Sequence, residues 1–321
     1  MKAEAVSTEG ARTEFQRELI AGLSARPRHV SPKWFYDAEG SRLFDRICAL
    51  PEYYPTRTEL ALLDRHATEI AQFIGTGREI VEFGAGATRK VRMLLDAIDA
   101  PARFVPVDIS GEHLMNAADE LRAEHPALDV CPVVSDFTRP LALPPAAGPR
   151  VGFFPGSSIG NFDPPQAAAL LRRFATLLAG GGLLIGIDLV KDPALLHAAY
   201  NDSAGVTAAF NLNLWARANR EAGADFELAQ WAHAAFYNAP LHRIEMHLVS
   251  RRAQRVAVSG VAFDFAEGDS VHTENSYKYT VPGFQALARE AGFAPLACWT
   301  DPARSFALHW LASGGDPAPP R

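Results

Sequence analysis

Apolar residues along the chain recur with two periods, and the order in which the periods alternate predicts the fold. Helical spacing marks residues 14–23, and a longer helical stretch runs from Thr58 to about Phe73. A short apolar run follows, Ile80, Val81 and Phe83, and then Val91, Leu94, Leu95 and Ile98 at helical intervals. The alternation continues with a strand over 103–108, a helix over 111–124 closed by Pro126, and strands over 130–134 and 150–155. A helix over 165–178 and a strand over 183–189 complete the series. Strands separated by helices of this length predict an α/β fold with a parallel, doubly wound sheet.

After Lys191 the pattern changes. Residues 197–219 read as a helix interrupted near Gly205. Segments between Trp231 and Phe265, such as 243–248 and 255–258, alternate apolar and polar positions, and 271–279 continue that character. This is the signature of antiparallel strands with one solvated face. A helix over 283–291 and strands over 295–299 and 306–311 return to the core. The predicted organisation is an N-terminal cap over 1–60, a core over 61–195, an inserted α+β lid over 196–282, and a return to the core over 283–321. Residues 1 to about 10 and 314–321 read as disordered ends, and no internal repeat is evident.

Composition narrows the partners. The chain has 321 residues, 48% hydrophobic and 21% charged, as expected of a globular protein. A net charge of −6 without a Lys/Arg cluster argues against nucleic acid. No run of 18 apolar residues exists to span a membrane. Cys48, Cys131 and Cys298 are odd in number and far apart, so neither a disulfide framework nor a metal site is expected. With no apolar leader at the N-terminus, the expected location is cytoplasmic.

Candidate chemistry begins where the first strand of the sheet ends. Gly84 and Gly86, one residue apart, let the backbone pass close beneath a ligand. A dinucleotide site wants a third glycine three places on, for close helix packing under a pyrophosphate. Arg89 stands there. Glu82 before the first glycine suits a cationic, phosphate-free ligand, and S-adenosylmethionine (AdoMet) has that description. Asp108 ends the second strand about 20 residues later, the separation at which such an acid meets ribose hydroxyls. From these residues alone, a dinucleotide site or an ordinary βα turn with a surface Asp stays open. Asp136 and Phe137 close the third strand, either as an adenine contact or as a helix cap beside a core Phe. The loop 156–164 leaves the sheet at its carboxyl edge, where Asn161 offers both a donor and an acceptor. The aromatic clusters at 33–37 and 51–55 form either a packed cap or a pocket wall.

Five strings, in order, resemble the histidine Nα-methyltransferases of ergothioneine biosynthesis: PKWFYD at 32–37, LPEYYPTRTE at 50–59, GSSIGN at 156–161, YNDSAGVTAAFN at 200–211 and TENS at 273–276. The resemblance runs from about residue 15 to 312. It implies the Rossmann-like sheet of class I methyltransferases with an inserted lid. It also implies transfer of three methyl groups from AdoMet to the α-amine of L-histidine, giving hercynine. Gly84, Lys90, Asp108, Asp136 and Phe137 are then expected to hold AdoMet. Asn161 and Tyr200 are expected on the substrate carboxylate, Tyr36 and Tyr53 around the amine, Glu274 and Ser276 on the imidazole, and Met246 along the side chain. The chain departs from the family's strings at Asn275, Tyr277 and Lys278.

The chemistry fits such a set. A methyl acceptor needs a free lone pair, so the amine must react unprotonated. Tyrosine hydroxyls and water position it without a strong buried anion, which would favour the ammonium. Two alternatives remain at this level: the Nα-methylation of another amino acid such as tryptophan, and a non-catalytic AdoMet sensor.

Overall fold

The computed structural model describes residues 13–86 and 88–314. The expected disordered ends, apart from Gly314, lie outside the described residues. Helix α1 (Glu14–Ser24) opens on a capping box, in which the Thr13 hydroxyl accepts the Gln16 N–H and the Gln16 side chain accepts the Thr13 N–H. Helices α2 (Ala38–Cys48) and α3 (Tyr54–Ile74) follow. Pro55 in the first turn starts α3 four residues before the expected Thr58, because a missing N–H costs nothing there. The alternating region is β1 (Glu79–Phe83), α4 (Arg89–Ala97), β2 (Arg103–Asp108), α5 (Gly111–Glu124), β3 (Val133–Val134), β4 (Arg150–Phe154), α6 (Pro164–Leu177) and β5 (Gly182–Asp188). Then come α7 (Pro193–Tyr200), α8 (Val206–Glu221), β6 (Trp231–Asn238), β7 (Arg243–Ser250), β8 (Gln254–Val258), β9 (Val261–Phe265) and β10 (Ser270–Tyr277). The last elements are α9 (Val281–Glu290), β11 (Phe293–Thr300) and β12 (Phe306–Ser313).

Seven strands form the main sheet in the order β11-β12-β5-β4-β1-β2-β3. Neighbours from β3 to β5 are parallel, while β12 runs antiparallel to both β5 and β11. The doubly wound sheet expected from the alternation is therefore present, with one reversed strand. Its order turns between β1 and β4, the point outside which ligands of open α/β sheets bind. Every residue of β1 is buried. Val81 and Phe83 pack on one side with Phe154 and Phe174, and Ile80 on the other with Leu62, Leu94 and Phe104, as a covered parallel strand requires. The third strand is shorter than expected. Val130 makes only a bridge to Phe104, and Pro132 then has no N–H to continue the ladder.

A three-stranded sheet, β10-β7-β6, and the hairpin β8-β9 hold the remaining strands. The expected break in the 197–219 helix lies between α7 and α8. There the Asp202 carboxylate accepts the N–H groups of Val206 and Thr207, each at 2.8 Å.

The described chain packs as two compact units. One comprises residues 13–35, 208–234 and 246–274, and the other 36–207, 235–245 and 275–314. The first has its own aromatic core: Trp215 stacks on Phe226 at 3.9 Å, and Trp231 sits edge-on to Trp215, Phe226 and Phe265. The second contains the whole main sheet. No helix among the described residues is long and apolar enough to cross a membrane.

Candidate active site

The glycine turn after β1 is held by the neighbouring strand. The N–H groups of Gly84 and Ala85 both reach the Val107 carbonyl, at 2.8 and 3.1 Å. Gly84 has φ of +77°, a conformation L side chains rarely adopt, and a Cβ there would touch the Phe137 ring at 3.5 Å. At Gly86 a Cβ would meet nothing within 4 Å, so the backbone there faces open space. This is a cradle in the physical sense: a turn that glycine adopts without strain, with room on its outer side.

Three acids stand at the carboxyl edge around that turn. Glu82 is 3% exposed, and burial pushes its carboxyl up to about 8, with Lys90 opposing and Asp108 and Glu59 adding to the rise. Asp108 is also raised by burial, though its Oδ1 accepts the Ser110 N–H at 2.7 Å. Asp136 accepts the backbone and hydroxyl of Thr138, at 2.9 and 2.5 Å, which is the capping role open to it. Phe137 packs edge-on to Phe83 and Phe154, with centroids at 6.4 and 5.5 Å. A cation beside these acids would favour their charged forms, so this edge suits a positively charged ligand better than an anion.

Lys90, whose charge acts on Glu82, is already engaged. Its Nζ lies 2.6 Å from Oε2 of the fully buried Glu59, whose two oxygens also accept the Gly156 N–H at 3.0 Å each. Thus α3, α4 and the loop after β4 meet on one carboxylate. That ammonium is not available to a phosphate.

The aromatic strings also converge on this edge. Ser110, two residues after Asp108, donates its hydroxyl to the Tyr36 carbonyl at 2.9 Å. The Tyr36 ring meets Phe44 edge-on at 5.6 Å, and Phe44 meets Tyr53 in the same way at 6.3 Å. Tyr36 and Tyr53 are thus joined through a shared ring, and the Tyr36 backbone is tied to the loop after Asp108.

The loop bearing Asn161 is fastened from two sides. Ser157, with φ of +61°, accepts the Asp188 N–H at 2.8 Å. A Cβ at Gly160 would lie 2.8 Å from the Tyr277 carbonyl, so the loop rests directly on the end of β10. Below it sits a buried charge cluster. Asp188 accepts the Tyr54 hydroxyl at 2.7–2.8 Å, Lys191 at 2.5 Å and Lys278 at 2.9 Å. Lys278 also donates to Ser276 Oγ at 2.6 Å, and Tyr200 donates to the same oxygen at 2.7 Å. Burial opposes the Asp188 charge, but the two lysines hold its carboxyl below the ordinary value. Burial likewise lowers Lys191, to about 8; at Lys278 burial also opposes the charge, but Asp188 and Tyr200 together outweigh it and hold the ammonium above the lysine range.

One unit thus contains Tyr36, Tyr53, Glu82, Gly84, Gly86, Lys90, Asp108, Asp136, Phe137, Asn161, Tyr200 and Ser276. Met246 and Glu274 belong to the other. There Met246 is 1% exposed and its carbonyl accepts the Thr273 hydroxyl at 3.1 Å, while the Glu274 carbonyl lies 3.0 Å from His272 Nε2. Glu59, Asp163, Asp188 and Lys278 are not among the residues that the sequence singles out for a role. Asp188 carries the signal that marks Asp108 and Asp136, an acid ending a strand. Lys278 stands out in the sequence only as a departure from the family's strings.

A sequence model of the family described as "histidine-specific methyltransferase, SAM-dependent" (SAM being AdoMet) matches residues 15–313. The chain is 45% identical to a protein of Mycolicibacterium smegmatis named histidine N-alpha-methyltransferase, over 95% of this chain and 97% of that one. It is 31% identical to ergothioneine biosynthesis protein 1 of Neurospora crassa, over 89% of this chain and 33% of that longer one. A solved structure described as a possible exported protein of Bordetella parapertussis aligns over 94% of this chain and 87% of its own. Its TM-score is 0.52 at 14% identity, a likeness of fold alone.

Proposed function

We propose that this chain, which belongs to the SAM-dependent, histidine-specific methyltransferase family, transfers three methyl groups in succession to the α-amine of free L-histidine. The product is hercynine, a step of ergothioneine biosynthesis. The observation that supports this most directly is the glycine turn ringed by Glu82, Asp108 and Asp136, with its lysine engaged by Glu59. Such an edge suits a cationic nucleoside without phosphates.

AdoMet supplies, when bound, an electrophilic methyl group on a sulfonium. The chain's own residues do the rest. In this reading Asp108 takes the ribose hydroxyls, Asp136 and Phe137 the adenine, and Glu82, Gly84, Gly86 and Lys90 shape the turn beneath the cofactor. Asn161 takes the substrate carboxylate, with Tyr200, whose hydroxyl hydrogen lies on Ser276 Oγ, beside it, and Tyr36 and Tyr53 surround the amine with hydroxyls and ring faces. Ring faces tolerate the positive charge that grows on nitrogen. Ser276 meets the imidazole. Glu274 and Met246 are assigned to the histidine side chain on the family resemblance. On β10, alternation directs Glu274 and Ser276 to one face.

The reaction is placed in the cytoplasm, a reading supported by three unpaired cysteines. Incubation of the protein with AdoMet and each free amino acid, followed by mass spectrometry, tests the function. Products of +14, +28 and +42 on histidine are expected. Methylation of tryptophan instead, or cofactor binding without turnover, overturns it.

A further inference from the structure

The Ser276 hydroxyl has an unusual set of neighbours. Its oxygen carries two lone pairs and one hydrogen. Lys278, an ammonium with donors only, points one of them at this oxygen from 2.6 Å. The Tyr200 hydroxyl donates to the same oxygen at 2.7 Å. With both lone pairs filled, the only capacity left at Ser276 is its own hydrogen, which needs an acceptor.

Lys278 is fixed in this role by its surroundings. It is 4% exposed and paired with Asp188 at 2.9 Å, and its backbone N–H is held by the His242 carbonyl at 2.7 Å. Asp188 from β5, Lys191, Tyr200 from α7 and Tyr237 from β6 act on it, Tyr54 from α3 shares Asp188, and Glu274, assigned above to the histidine side chain, stands two residues before Ser276 on β10. Two lysines share one carboxylate, so the cluster carries a surplus positive charge against the hydroxyl pair.

We propose that Lys278 is a positioning residue that turns the Ser276 hydrogen toward the substrate ring and thereby restricts the site to histidine with a neutral imidazole. This rests on the function proposed above. Neutral imidazole has one unprotonated ring nitrogen to accept that hydrogen, and imidazolium has none. Without Lys278, Ser276 is released to donate to Tyr200 and to offer a lone pair, and the discrimination is lost.

Hercynine is the probe, because its quaternary nitrogen does not titrate and only its imidazole changes charge near pH ~6.5. Its Kd is measured by calorimetry between pH ~5 and ~8 in the presence of demethylated AdoMet. For the unaltered protein, Kd rises about tenfold per pH unit below ~6.5. For Lys278→Met, Kd at pH ~8 rises about 2–10-fold, the loss of a neutral hydrogen bond from Ser276 to the ring. The acid limb flattens in the same variant, and AdoMet affinity stays unchanged. Lys278→Arg, another donor-only cation, retains the acid limb. If Lys278→Met does not fold, Lys278→Met with Asp188→Asn removes both members of that ion pair, leaves Lys191 in place, and is expected to show the same flattening. A Lys278→Met profile parallel to the unaltered one overturns the proposal while histidine turnover stands. Absence of histidine methylation and of hercynine binding in the unaltered protein overturns the function itself, and the Lys278 proposal with it.

Discussion

Asp163 accepts the Tyr277 hydroxyl at 2.9 Å, and its Oδ1 also accepts the Asn275 amide at 3.1 Å. Asp163 begins α6, two residues after Asn161, and Asn275 and Tyr277 flank Ser276 on β10. The residues proposed for the acid end and for the ring of the substrate are thus tied through one carboxylate. Arg243 lies beside it at 3.4 Å, a half-exposed pairing worth little by itself.

Asp163→Ala removes a helix cap and two acceptor contacts together. Chemical denaturation is expected to show a loss of about 1–3 kcal/mol. KM for histidine should rise well above that for AdoMet, because the tie orients Asn161 and Ser276 rather than the glycine turn. Asp163→Asn, which keeps a cap and an acceptor, should fall between the two.

The Glu59 carboxylate joins Lys90 to the Gly156 N–H and is itself fully buried. Glu59→Ala leaves Lys90 without its partner, a change that typically costs about 3–5 kcal/mol when the site is dry. Lys90 is partly exposed, so the lower end is expected. Gly186→Ala reaches the same carboxylate from β5, since its Cβ would clash with Glu59 Oε1 and force it to shift. Calorimetric titration with AdoMet should show weakened binding in both variants; unchanged affinity would separate this carboxylate from the cofactor site.

Glu82 predicts a pH dependence with a definite sign. Its carboxyl is raised from 4.5 to about 8 in the folded protein. The folded state therefore keeps a proton that the unfolded chain releases, and stability falls as pH rises across that window. Relative to Glu82→Gln, the unaltered protein should lose a few kcal/mol between pH ~5 and ~8, since releasing one proton on unfolding changes stability by ~1.4 kcal/mol for each step of one in pH. Thermal melts of both proteins across that range check it. A bound cation favours the carboxylate, so AdoMet should bind more tightly as pH approaches ~8, and this trend should vanish in Glu82→Gln.

Tyr200→Phe deletes one of the two donors to Ser276. A neutral hydrogen bond of this kind is worth about 0.5–1.5 kcal/mol, so KM for histidine should rise about 2–10-fold. AdoMet affinity should be unchanged, because the bonds of the Tyr200 hydroxyl run to Ser276 and Lys278. Steady-state kinetics with each substrate varied in turn give the result.

Much of this is legible in local patterns. The alternation of strands and helices, the glycine turn without a third glycine, and acids at strand ends each depend on residues near one another in sequence, where period and backbone geometry act directly. The third strand begins a few residues later than its apolar run, because β-pairing needs a partner's register as well as suitable side chains, and Pro132 interrupts it. That Tyr36 and Tyr53 meet through Phe44, which lies outside both strings, is a matter of tertiary packing.

What the chain determined by itself was the fold class, the family and the identity of the groups along the sheet's carboxyl edge, since periodicity, turn chemistry and ordered motifs are properties of short segments. What only the tertiary structure decided was their electrical state. That Lys90 answers to Glu59, that Glu82 holds a proton near neutral pH, and that Asp188 gathers Lys191 and Lys278 beneath Ser276 follow from burial and from the packing of separate elements against one another. Charge in a dry interior depends on what surrounds it, and no local pattern of residues specifies that.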